Sequence, residues 1–159
     1  MGFGFGSRVA ATVAALPTVY KNPPKLILIG FPMYGPSPNN KDERVLSLQV
    51  LPVETQVLAI SGTQDEFITS EKNVAYPLHP GNPRDVWDDA LKKMPCRATM
   101  TVRFIEEGGH GVYPADEGRK ADTTTKILQY IDTFVKGNND DDGPTIPTGG
   151  VGGSGGGEN

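Results

Sequence analysis

The stretch KLILIG, residues 25–30, constrains this chain most. Leu26, Ile27, Leu28 and Ile29 follow one another with no polar alternation. Successive side chains of a strand point to opposite faces, so a strand of this composition must be buried on both. That is the situation of a strand inside a parallel sheet with helices packed on each side. A second run, QVLAISG at 56–62, has the same character. A third, RATMTVRFIE at 97–106, alternates Met100, Val102 and Phe104 with Thr99, Thr101 and Arg103.

Parallel strands need crossover connections, and the intervening segments carry helical spacing. Residues 7–16 set Val9, Val13 and Leu16 among alanines and end at Pro17. A weaker pattern covers 42–48. Asp85 stands as an N-cap, with Asp88 and Asp89 behind it. Lys92 and Lys93 precede Pro95, so both ends complement the helix dipole. The apolar stripe of that helix is Val86, Ala90, Leu91 and Met94. A last helix, 121–136, offers Ile127, Tyr130, Ile131 and Phe134 to a core, and Gly137 stops it. The expected fold is α/β, a three-stranded, mainly parallel sheet with flanking helices. An opening helix calls for a strand before it, so the expectation is a partial domain whose N-terminal strands are missing. The strand at 25–30 would then be a long apolar edge, open to self-association. Residues 1–136 form this domain. Residues 137–159, GNNDDDGPTIPTGGVGGSGGGEN, have almost nothing large to bury and read as a disordered Gly/Asp-rich tail.

The formal net charge of −4 gives no electrostatic support to nucleic-acid or acidic-membrane binding. No apolar run approaches the roughly 20 residues of a membrane span, and no charged, apolar leader opens the chain. With one cysteine, Cys96, no internal disulfide framework exists. The expected location is the cytoplasm, with the nucleus open. Two histidines and one cysteine at wide spacing make no metal signature, and no cofactor motif is evident.

In doubly wound sheets, functional groups collect on loops at the carboxyl ends of strands. SGTQDEF follows the second apolar run and places Asp65 there; EEGGHGVYP follows the third and places His110 there. GFGFGS, residues 2–7, precedes the first helix. Gly4, Asp65 and His110 therefore fall on one rim, in the chain order nucleophile, acid, histidine of an α/β-hydrolase. The elbow of that fold is Gly-x-Ser-x-Gly, and its flanking glycines avoid Cβ clashes at a strained turn. Here Gly2 and Gly6 flank, and Gly4 stands where the serine would be. The same glycines could instead cradle a phosphate at a helix N-terminus, although no Walker lysine follows. Ser7 lies a turn beyond the slot, displaced by about 5 Å along the helix, and suits capping or packing better than catalysis. Cys96 precedes the third strand, at the opposite rim. His79, in YPLHPGNP, has no acid partner in pattern and reads as a loop residue.

Four stretches in this order, GFGFGSRVAA, LILIGFPMYGPSP, VLAISGTQDEF and IEEGGHGVYP, resemble the C-terminal half of the dienelactone-hydrolase-like branch of α/β-hydrolases. Within that branch the chain resembles the domain shared by a testis-expressed protein and the third subunit of the non-specific-lethal chromatin acetyltransferase complex. The resemblance implies a triad remnant with Asp65 as acid and His110 as general base, and Gly4 in the nucleophile slot. It places one oxyanion-hole donor on the Phe5 N–H and a second on a loop ahead of the elbow. A small ester or acyl compound is the implied substrate class of an active relative. Without the serine, the implied state is non-catalytic. Two alternatives stay open: an interaction module of a larger, chromatin-associated complex, and an active hydrolase whose N-terminal half lies outside this chain.

Overall fold

The computed structural model describes residues 1–16, 25–34, 43–68, 83–92 and 100–137. Pro17, Asp42, His79, Lys93, Met94, Pro95, Cys96, residues 97–99 and the expected tail beyond Gly137 lie outside this set.

The elements run β1 (Gly2–Phe3), α1 (Phe5–Ala14), β2 (Lys25–Ile29), α2 (Glu43–Gln49), β3 (Gln56–Gly62), α3 (Pro83–Lys92), β4 (Met100–Ile105), a 3₁₀ turn (Glu117–Arg119) and α4 (Lys120–Lys136). The strands form one parallel sheet in the order β1-β2-β3-β4. The α/β class is as expected, but the sheet has four strands rather than three. Gly2 and Phe3 pair with Leu28 and Ile29, and the Gly4 N–H extends the ladder to the Ile29 carbonyl at 2.8 Å. A two-residue strand shows no periodicity, which is why the sequence pattern misses it. The segment at 25–30 is thus not an open edge along its whole length. β1 covers its carboxyl end, and among the described residues no strand pairs with residues 25–27 on that side.

The two apolar runs bury both faces. Leu26, Leu28, Val57 and Ala59 pack with Ala11, Ala14, Leu48, Val86 and Trp87, under α1, α2 and α3. Ile27, Ile29, Leu58 and Ile60 pack with Ile127, Tyr130, Ile131 and Phe134, under α4. Each such side chain contributes about 1.5–3 kcal/mol on full burial. Because both faces are apolar, a one-residue slip would cost little in burial, and register is weakly set by pattern alone. The carboxyl ends supply what the pattern lacks. There the Gly30 N–H meets the Ile60 carbonyl at 2.9 Å, and Gly62 lies against the Gly108 backbone.

Three helices differ from expectation in detail. In α1 the buried residues are Ser7, Ala11 and Ala14, while Val9, Val13 and Leu16 face outward. The helix begins at Phe5, two residues earlier than expected, and close approach to the sheet selects the small residues for the inner face. In α3 the first residue is Pro83, so Asp85 sits inside the first turn rather than capping it; proline suits that position because its missing N–H has no intrahelical partner. Trp87 joins Val86 and Ala90 on the buried face, and Leu91 is half-buried. α2 runs one residue later than expected. In α4, Gly137 takes the left-handed conformation (φ 75°) that closes the helix, as expected.

Candidate functional site

At the carboxyl rim, β1 turns into α1 through Gly4, with φ 52° and ψ −123°. L-residues rarely adopt that left-handed backbone, so glycine fits the turn readily. Gly2 is bound more tightly: a Cβ there would lie 2.3 Å from the Gly6 carbonyl oxygen and 2.5 Å from the Ser7 Cα. Gly6 is different, since a Cβ on it would meet nothing within 4 Å. The expectation that both flanking glycines avoid clashes therefore holds for Gly2 alone. Ser7 is fully buried, and its Oγ donates to the Gly4 carbonyl at 2.5 Å. It braces the turn and is withdrawn from any nucleophilic role.

Asp65 and His110 meet on the same rim. His110 Nδ1 lies 3.2 Å from each carboxylate oxygen of Asp65. Asp65 is fully buried, and its Oδ1 also accepts from the Phe67 N–H at 2.9 Å, an Asx turn that fixes the carboxylate. A carboxylate only accepts, so Nδ1 carries a proton and Nε2 is the basic nitrogen of the neutral ring. The hydrogen bond to Asp65 raises the His110 pKa; partial burial opposes this, the charges of Asp65 and Glu66 add to it, and Arg44 opposes it. The Phe67 ring, 4.5 Å away between centroids and tilted by 57°, holds the imidazole in place.

Gly4 and His110 face one another. A Cβ built on Gly4 would lie 3.5 Å from His110 Nε2, an ordinary contact distance. A hydroxyl one bond further out from that Cβ would come within hydrogen-bond reach of Nε2. The histidine loop is seated by close backbone contacts. A Cβ on Gly30 would come 2.4 Å from the His110 carbonyl oxygen, and one on Gly62 would come 2.0 Å from that of Gly108. The loop also holds Val112, buried at φ 59°, and Glu107 at φ 60°. A β-branched residue there is strained, and such strain persists only where the surroundings enforce it. The Phe5 N–H opens α1, where the first amides have no intrahelical carbonyl.

The structure thus brings together Gly4, Phe5, Asp65 and His110 and removes Ser7 as a nucleophile. Sequence reasoning missed Phe67, Tyr34 and Arg44. Tyr34 N–H donates to the Phe67 carbonyl at 2.9 Å, and Arg44 Nη1 donates to the Tyr34 carbonyl at 2.5 Å. Only Phe67, two residues beyond Asp65 in an Asx turn, had a local signal. The others approach the rim through chain reversals that no spacing reports.

No helix among the described residues is long and apolar enough to cross a membrane. No protein-family model matches the chain, and searches of curated proteins and solved structures return no significant match.

Proposed function

We propose that this rim is the remnant of a serine ester or acyl hydrolase site, non-catalytic because Gly4 occupies the nucleophile slot. The reading is of a dienelactone-hydrolase-like domain, and one observation supports it above the others. The Cβ direction of Gly4 points at His110 Nε2 from 3.5 Å, while Asp65 holds Nδ1 on the far side of the ring. With a serine at position 4, the hydroxyl would give its proton to Nε2 as its oxygen attacked an acyl carbon. Asp65 would keep the tautomer and stabilise the imidazolium. The Phe5 N–H would meet the developing oxyanion. In the resembling fold a second donor comes from a loop ahead of the elbow, and each such donor is worth roughly 3–4 kcal/mol.

Fluorophosphonate labelling tests this directly. The native chain should not label. Gly4→Ser should label, and the Gly4→Ser/His110→Ala chain should not. Labelling of Gly4→Ser that ignores His110, or its failure in a folded Gly4→Ser chain, would overturn the reading.

A second reading has its own support. Phe3, Phe5, Val9, Val13 and Leu16 are all exposed, forming an apolar surface on β1 and the outer side of α1. Soluble monomers seldom leave contiguous apolar patches of this kind uncovered. On this reading the domain is an interaction module, binding a protein partner or a second copy through the β1–α1 side. Sedimentation separates the cases: Val9→Glu/Leu16→Glu should shift an associated native chain to monomer. A native chain already monomeric, and unchanged by the substitutions, would remove support for self-association.

A further inference from the structure

We propose that β4 is a dimerisation edge: two copies of this chain join their β4 strands antiparallel, across a twofold axis at Val102, into one continuous sheet. The proposal does not rest on the hydrolase reading, and it uses the edge of the sheet opposite β1.

The two edges of the sheet differ. β1 is two residues long, and so short a strand offers little to an incoming chain. β4 is six residues long, and its pairing with β3 runs from Met100 to Ile105 without a bulge. Among the described residues, no strand pairs with its outer side. Natural edges are commonly protected by a proline, a lysine or a bulge, and β4 has none of these. Its one charge, Arg103, lies toward α4, with the guanidinium 5.7 Å from the centre of the Tyr130 ring. Met100 to Phe104 are only half-buried, and Thr, Val and Phe are residues that favour strand pairing.

The occupant is a second copy because this edge complements itself. A twofold axis normal to the sheet sets the two strands antiparallel and makes the contact isologous. With Val102 on the axis, Val102 meets itself, Met100 stands opposite Phe104 of the second copy, and Thr101 stands opposite its Arg103. Residues directly opposite share one face of the joined sheet, with Cβ atoms about 4.5–5.5 Å apart. Met100, Val102 and Phe104 lie on the α3 side, beside a groove of about 100 Å³ lined also by Trp87 and Leu91. There apolar side chains meet apolar ones, and a thioether meets an aromatic ring. On the α4 side, Arg103 Nη1 is buried with no acceptor among the described residues, and the Thr101 hydroxyl of the second copy stands opposite as one. An axis at Arg103 would instead set two guanidiniums directly opposite, which is unfavourable.

Sedimentation of the full chain, with disulfide trapping, tests the proposal. The native chain should be dimeric at tens of micromolar. Thr101→Glu, facing Arg103 of the second copy, should tighten the dimer. Thr101→Lys should weaken it by about tenfold, since each substitution enters the contact twice. In a Cys96→Ser background, Val102→Cys should oxidise to a covalent dimer, because the two thiols face each other across the axis at disulfide spacing. Arg103→Cys should not, since its diagonal separation of roughly 7–8 Å is too long for a bridge. Mixed Thr101→Cys and Arg103→Cys chains should link to each other. A native chain that stays monomeric would overturn the proposal. So would a dimer indifferent to both Thr101 substitutions, or one trapped by Arg103→Cys and not by Val102→Cys. A dimer dispersed by Val9→Glu/Leu16→Glu and not by Thr101→Lys would place the contact on the β1–α1 side and overturn it as well. Failure of Gly4→Ser to label, with the β4 dimer intact, would count against the hydrolase reading alone.

Discussion

α1 and α4 cover opposite faces of the same sheet, yet they are held in different ways. α4 carries its own supports. Asp122 lies in its first turn and Lys136 in its last, Gly137 closes it, and Lys136 pairs with Asp132 at 2.6 Å. Lys25, from β2, donates to the Phe134 and Val135 carbonyls, both at 2.9 Å. α1 has no acidic residue in its first turn, no basic residue in its last and no side-chain N-cap. Its inner face is Ser7, Ala11 and Ala14, and its larger side chains point outward. α4 is stabilised by local chemistry, whereas α1 is kept by the fit of its first turn against β1. The poorly supported helix is the one whose N-terminus faces His110. On the proposed hydrolase reading, positioning is favoured there over stability, a frequent arrangement at functional sites.

The largest effect should come from breaking that fit. In Gly2→Ala the new methyl would collide with backbone at 2.3–2.6 Å, and no flexible side chain can yield. Such overpacking should cost about 3 kcal/mol or more, read as a lower midpoint in urea. If Gly2→Ala unfolds like the native chain, α1 is not held by close approach at the elbow.

Next is Asp65→Asn, at about 2 kcal/mol for a lost charged hydrogen bond in a buried setting. The His110 pKa should fall with it, because the Asp65 hydrogen bond is the largest cause of the increase. The sign of the stability change follows. A pKa raised in the folded state contributes stability that is fully present below the unfolded value of about 6.5 and lost as pH rises through the folded value. Native stability should therefore decline with pH across that window, and Asp65→Asn should flatten the decline. Proton NMR titration can follow His110, with His79 as the other histidine resonance. A His110 pKa unmoved in Asp65→Asn would contradict the pairing.

The contrast between the helices also shows what was legible in sequence. β2 and β3 could be read because Leu26 to Ile29 and Val57 to Ile60 leave no polar face, which only a doubly covered strand tolerates. α4 could be read from its apolar stripe and Gly137. Asp65 and His110 could be placed because strand-end loops share a rim. β1 could not, since two residues have no period. The inner face of α1 was not legible: hydrophobicity favours Val9, Val13 and Leu16, but close approach to the sheet puts the small Ser7, Ala11 and Ala14 there.

Gly6→Ala offers a smaller effect of opposite sign. Gly6 lies inside α1 with nothing within 4 Å of a new Cβ. Alanine there should stabilise by up to about 1 kcal/mol through helix propensity. Paired with Gly2→Ala, it separates the two elbow glycines: one needed for clearance, the other only tolerated. A destabilised Gly6→Ala chain would mean that the first turn of α1 meets something beyond the described residues.

Lys25→Met should produce the smallest change, and it sharpens the other half of the comparison. Lys25 caps the end of α4 with two hydrogen bonds, and its ammonium lies 5.5 Å from the centre of the Phe134 ring. The side chain is exposed, so solvent screens the interaction and the contribution should be about 0.5 kcal/mol. Methionine keeps the aliphatic stem while removing the charge, so packing is nearly unchanged. The loss should shrink further at high salt, because screening weakens exposed charge–dipole terms first. The effect should also be local: amide exchange should quicken in the last turn of α4, near Phe134 to Lys136, and stay unchanged in α1. Faster exchange in α1 on Lys25→Met would show that the two helices are coupled through β2, and that the stability of α4 supports the elbow after all.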